Sequence, residues 1–185
     1  ISSVDIERAD EPGNSAWEGS ATATVGDSEI SSTVVAFTVD QVAASVSVTQ
    51  LGDPVPTEDV QELAQKLEGR IEAVAARELS DTPVQIPAET TTPAGRDPAL
   101  ERMVLALEDL PFGVSVKNDG YITEGDKVSF QRDFALGNVK VGKSELIGLQ
   151  SNVERMDSAA AAAVAVKAIS RLVKGEAGRK LFAES

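Results

Sequence analysis

Between Val42 and Thr49 the chain alternates without interruption. Val42, Ala44, Val46 and Val48 share one side, and Ala43, Ser45, Ser47 and Thr49 share the other. Successive side chains of a strand point to opposite faces, so a period of two rich in β-branched residues marks a half-buried strand. Ahead of it, Ile30, Val34, Val35 and Phe37 lead into Asp40-Gln41, a turn pair, and the two segments read as an antiparallel hairpin. A hairpin of this kind commits the chain to antiparallel sheet. The sheet then needs helices to cover its apolar face.

One such helix follows at 57–79. Thr57 stands at the N-cap position after Pro56, with Glu58 and Asp59 in the first turn, where carboxylates favour the positive end of the helix dipole. Val60, Leu63, Leu67, Ile71 and Val74 recur at spacings of three and four and define one apolar face. That spacing predicts Leu63, Leu67 and Ile71 buried, and Glu62 and Glu68 exposed. Before the hairpin, 1–15 is polar and acidic and reads as a loose N-terminal arm, and 16–25 reads as an edge strand. The segment 16–79 is thus a first half, a hairpin plus a helix.

Residues 80–98 contain Pro83, Pro87, Pro93 and Pro98 and a run of Thr, the composition of a linker or long loop. The second half, 99–185, opens with Leu100, Met103, Val104 and Leu107, spaced for a short helix ending near Leu110-Pro111. Asn118-Asp119-Gly120 reads as a hairpin turn, since these residues tolerate positive φ. Val128, Phe130, Arg132 and Phe134 alternate as a strand, Val139 and Val141 continue the pattern, and Leu146, Ile147 and Leu149 suggest one more. Asp157 or Ser158 caps a last, Ala-rich helix running to about Lys174. The expected fold is α+β: an antiparallel sheet with about three helices packed on it and one core shared by both halves. The two sides of 80–98 share a strand–strand–helix plan, which fits a distant duplication and fits generic α+β order equally.

Composition narrows the chemistry. Hydrophobic residues make up 42% of the chain and aromatics only 4%, so Val, Leu, Ile and Ala fill the core. Thirty acidic residues against 17 basic ones give a net charge of -13, which repels phosphate backbones and argues against nucleic acid as a partner. The chain has no Cys and no His. Imidazole bases, Ser-His-Asp triads and the usual ligands of zinc, haem and copper are therefore missing. Carboxylate chemistry, Ser/Lys chemistry and hard-cation binding remain. No apolar run approaches the roughly 18 residues that cross a bilayer, so no transmembrane segment is expected. The chain begins at Ile1 and not at Met, which leaves a leader or a membrane tether ahead of it open.

Four patterns suggest chemistry, and each has a plainer reading. Gly137-Asn138-Val139-Lys140-Val141-Gly142-Lys143-Ser144 matches the phosphate-loop pattern in full. The pattern binds phosphate only when a helix begins at the Lys, and here the following residues are not helical, so it reads as a strand with a coincidental match. The carboxylate pairs Glu58/Asp59, Glu108/Asp109 and Glu124/Asp126 are the raw material of an acid–base hydrolase, but sequence spacing cannot place two of them across a cleft. Ser144 beside Lys143, and Ser170 between Lys167 and Lys174, lack any S-x-x-K motif at a helix start. The run Ala159 to Ala163 suits close packing of a helix on a sheet, with a shallow apolar groove as the other reading. The sequence assigns no catalytic, cofactor-binding or metal-ligating residue.

The segments Leu107-Glu108-Asp109-Leu110-Pro111-Phe112-Gly113 and Val25-Gly26-Asp27-Ser28, the latter followed by Phe37, Val46-Ser47-Val48, Leu63-Ala64-Gln65 and Arg70-Ile71, resemble a loosely defined class of bacterial extracytoplasmic proteins, often lipid-anchored. In that class the first motif precedes the second within one domain. Here the order is reversed, so the chain would carry parts of two copies or a permuted one. The resemblance implies an exported protein of unassigned function and brings no catalytic residues. The expectation is a non-enzymatic extracytoplasmic binding or protein-interaction module for a small apolar ligand or a protein partner, without a cofactor. A hydrolase using acidic residues is the alternative.

Overall fold

The computed structural model of the chain describes residues 3–7, 16–25, 27–80, 97–110, 113–124, 127–136, 140–141 and 144–174. The strands are β1 (Ser3–Glu7), β2 (Ala16–Val25), β3 (Ser28–Val39), β4 (Val42–Leu51), β5 (Val114–Glu124), β6 (Lys127–Leu136), β7 (Lys140–Val141) and β8 (Ser144–Arg155). The helices are α1 (Thr57–Ser80), α2 (Pro98–Met103) and α3 (Ala159–Lys174), with a 3₁₀ turn at Leu107–Asp109. All strands join one antiparallel sheet in the order β1-β2-β3-β4-β8-β6-β5, and β7 pairs with the start of β8. The fold is α+β, as the hairpin and helix periodicities predict.

The hairpin of β3 and β4 forms in the expected register, with Val35 opposite Val46 and Phe37 opposite Ala44. Asp40 makes the turn with a φ of 49°, a left-handed conformation that a short polar side chain tolerates. Strand alternation divides the sheet into two faces. On the first, Val35, Phe37, Val46, Val48, Phe130, Phe134, Leu149 and Val153 pack with Val60, Ala64, Leu67, Ile71 and Val74 of α1 and with Leu100 and Met103 of α2. This cluster draws on both sides of 80–98, and β4 pairs directly with β8. On the second face, Trp17, Ala36 and Ala43 pack against Ala162 and Val166 of α3. Ala162 is fully buried, so the Ala-rich run brings α3 close to the sheet. β3 is therefore covered on both sides, which explains why Val34-Val35-Ala36-Phe37 is a continuous apolar run and not an alternation.

Beyond α3 the second face is polar. There Gln131 and Gln150 donate to Asp133 Oδ1 at 3.0 and 2.9 Å. The sequence follows the coverage: apolar under the helix, Ser, Thr, Gln and Asn where no helix lies.

The strand order β2-β3-β4 followed by β8-β6-β5 has the symmetry a duplication would leave, yet the helices break it. A two-fold axis between the antiparallel β4 and β8 would put both long helices on one face, whereas α1 and α3 lie on opposite faces.

Several local expectations are corrected. The stretch 1–15, read as a loose arm, contains β1, which pairs with β2, so 16–25 is not an edge strand. The helix expected from Leu100 to Leu110 ends at Met103. Val104 is extended, and it and Leu105 are fully buried, Leu105 N–H donating to Ser151 Oγ at 3.2 Å and Leu105 C=O accepting from Arg132 Nη1 at 3.0 Å. Those partners satisfy the buried backbone that a continuing helix would otherwise satisfy. Asn118-Asp119-Gly120 is no turn. It lies within β5 opposite Asp133, Arg132 and Gln131, just after a bulge at Lys117. The expected linker falls almost wholly on 81–96, outside the described residues; Asp97 and Pro98 at its end start α2, where Asp97 Oδ1 accepts from Ala99 N–H at 3.0 Å. Ser158 caps α3 as expected, its Oγ accepting from Ala161 N–H.

Candidate functional site

The first face of the sheet is not filled from end to end. Where α1 begins, it leaves a cleft of about 470 Å³ bounded by β4, β6, β8, the 3₁₀ turn and the first turns of α1 itself. This lies within the range of roughly 300–1,000 Å³ usual for small-ligand sites. Val48, Leu136, Leu146 and Leu149 form its floor, Val55, Val60 and Leu63 one wall, and Leu110 and Val114 the other.

A bulge in β8 makes that floor. Thr49 pairs with Gly148 but Gln50 pairs with Leu146, so Ile147 is the extra residue. Without it, Leu146 and Leu149, three apart in a strand, would point to opposite faces. With it both line the cleft, and Ile147 is left largely exposed. Leu63 records the cleft from the helix side. Leu67 and Ile71 are fully buried as predicted, whereas Leu63 on the same face is only half-buried because it faces the opening. Glu62 is exposed as expected; Glu68 is partly covered.

The lips of the cleft are charged. Asp59, Glu62 and Lys66 come from α1, and Glu108 and Asp109 from the 3₁₀ turn. A clasp joins the two sides behind them. Arg70 Nη1 lies 3.1 Å from both Glu108 Oε1 and Asp109 Oδ2, while Lys66 Nζ lies 3.1 Å from Asp109 C=O and 3.2 Å from Glu62 Oε1. Asp109 Oδ2 also accepts from Ala106 N–H at 2.7 Å, which fixes the turn. The hydrogen bond from the Arg70 guanidinium holds the Glu108 carboxyl below its usual value.

The residues singled out from sequence are distributed as follows. Asp59 stands on one lip, Glu108 and Asp109 on the other, while Glu58 points to solvent from the same first turn of α1. The side chains of Glu124 and Asp126 lie outside the described residues, as do those of Ser144, Ser170 and Lys174. Of the phosphate-loop match at 137–144, Lys140 and Val141 form β7 and Ser144 opens β8, with Lys140 paired to Glu145 and Val141 to Ser144; its other residues lie outside the described residues. Ser144 opens a strand, and the next helix begins at Ala159. The helix start that would aim backbone amides at a phosphate is therefore missing. Titration with ATP or GTP and magnesium is expected to give no heat of binding. Micromolar affinity lost in Lys143→Ala would contradict that expectation.

A smaller hollow of about 320 Å³ lies among Glu101, Asp119, Gly120, Tyr121, Phe130 and Arg132. Its main polar groups serve the fold: Arg132 pairs with Asp119 and Leu105 C=O, and Tyr121 Oη donates to Asp97 C=O. Among the described residues no group of three acids is arranged to hold a metal ion, and no helix is long and apolar enough to cross a membrane. The apolar lining of the larger cleft was not assigned from sequence. Its one local signal is Gly148 within an apolar strand, a common mark of a bulge.

Comparison of the chain with protein-family models, with curated proteins and with solved structures finds no match in any of the three.

Proposed function

We propose that this protein is a non-enzymatic binding module that takes a small apolar ligand into the cleft between α1 and the sheet. The observation that carries this reading is the unfilled apolar volume itself. Cores are normally packed to crystal-like density, yet here Leu63, Leu136 and Leu146 line about 470 Å³ of open space. Such a surface stays exposed at a cost unless something occupies it. A carboxylate hydrolase finds less support. Glu108 is held ionised by Arg70, the opposite of what a general acid needs. The net charge of -13 disfavours nucleic acid. The sequence resemblance adds a place of action outside the cytoplasm, with or without a lipid anchor; fractionation of cells making the full gene product tests that placement.

The ligand reading is tested with Nile red, an uncharged dye that brightens in apolar sites. The dye is expected to bind, to be displaced by decanol, and to bind about tenfold more weakly to Leu63→Asn, which puts an unpaired amide in the wall. Equal dye binding by Leu63→Asn, with its circular dichroism unchanged, would place the apolar site elsewhere.

A further inference from the structure

We infer that the ligand selected by this cleft is a cationic amphiphile, an apolar chain or ring system ending in an amine. The inference rests on the apolar-ligand reading and adds the chemistry of the head group. An amphiphile that buries its tail against Val48, Leu136, Leu146 and Leu149 must leave its head at the lips, where the charged side chains stand. Four of those lip residues are acids, Asp59, Glu62, Glu108 and Asp109, and Lys66 is the single base among them.

The cations at hand are already engaged. Lys66 Nζ sits against Glu62 Oε1 and Asp109 C=O, and Arg70, behind the lip, spans Glu108 and Asp109. An incoming carboxylate or phosphate head would have to displace one of these partners. Asp59 differs: it is exposed, and its carboxylate makes no ion pair or side-chain hydrogen bond among the described residues. The first turn of α1 also favours a negative group there, and Asp59 stands at the mouth without a counter-charge among the described residues. An ammonium head would supply that counter-charge over a low-dielectric floor, where a charge pair counts for more than in bulk water. The field of the whole chain, with its net charge of -13, acts in the same direction.

Three ligands with one tail separate the head from the body. Decylamine, decanol and decanoate are titrated against the full chain at pH 7 and low salt, well below their aggregation concentrations, by displacement of Nile red. Decylamine is expected to bind about tenfold more tightly than decanoate, with decanol between them. Asp59→Asn is expected to remove most of the preference for the amine while leaving decanol unchanged, and Glu62→Gln to reduce it less. Added salt is expected to shrink the preference as well. Decanoate binding as tightly as decylamine, or a preference untouched by Asp59→Asn and Glu62→Gln together, would overturn the head-group inference while leaving the apolar site standing. Failure of decanol to bind at all would remove the apolar site and this inference with it.

Discussion

Trp17→Ala is expected to lower the unfolding free energy by about 3–5 kcal/mol, the usual cost of emptying a large aromatic site. Trp17 is the only tryptophan in the chain and, among the described residues, the one large aromatic in the cluster under α3. Its neighbours there, Ala36, Ala43 and Ala162, are too small to close the space it would leave. The Trp17 indole Nε1 is buried without a hydrogen-bond partner among the described residues. An unpaired buried N–H carries a desolvation cost, so Trp17→Phe removes that cost along with part of the contact area and should lose clearly less than the alanine variant. Urea unfolding followed by far-ultraviolet circular dichroism reads both variants. A loss below about 1 kcal/mol for Trp17→Ala would mean that α3 is not seated on this face.

On the other face, Leu67→Ala is expected to cost about 2–5 kcal/mol, and Leu63→Ala clearly less. The two leucines sit one turn apart on α1, and periodicity treats them alike. Leu67 is fully buried in the main cluster, whereas Leu63 is half-exposed on the wall of the cleft. Truncating Leu67 leaves a closed cavity and truncating Leu63 only widens an open one. The difference between the two midpoints in urea is thus a measure of the cleft. Equal losses would mean that the cleft is closed in solution.

Local pattern revealed the parts of this fold held by local rules. The alternation of Val42 to Thr49 and the three-and-four spacing from Val60 to Val74 each gave an element with its buried side, because one face of each meets the same core. Where tertiary contacts decide, pattern misled. Asn118-Asp119-Gly120 has turn chemistry but is held in β5 by Arg132 and Asp133 across the ladder. Val104 fits a helical spacing, yet the helix stops at Met103 and the next buried backbone, at Leu105, is held by Ser151 and Arg132 instead. The cleft was the least legible part. Its floor depends on a bulge at Ile147 and on the pairing of β4 with β8, which joins residues about a hundred positions apart. Its lips bring Asp59 together with Glu108 and Asp109 from segments that nothing in the sequence links. The carboxylate pairs were visible as residues; that Asp59 and the Glu108/Asp109 pair frame one apolar opening was not.

Methyl resonances of Val and Leu followed by NMR during titration with decanol test the central claim most directly. The account predicts progressive shifts at Leu63, Leu110, Val114, Leu136, Leu146 and Leu149, with Val34 and Val166, between α3 and the sheet, unmoved. Shifts centred under α3 or spread evenly over the surface, or none at any of the cleft methyls, would contradict it.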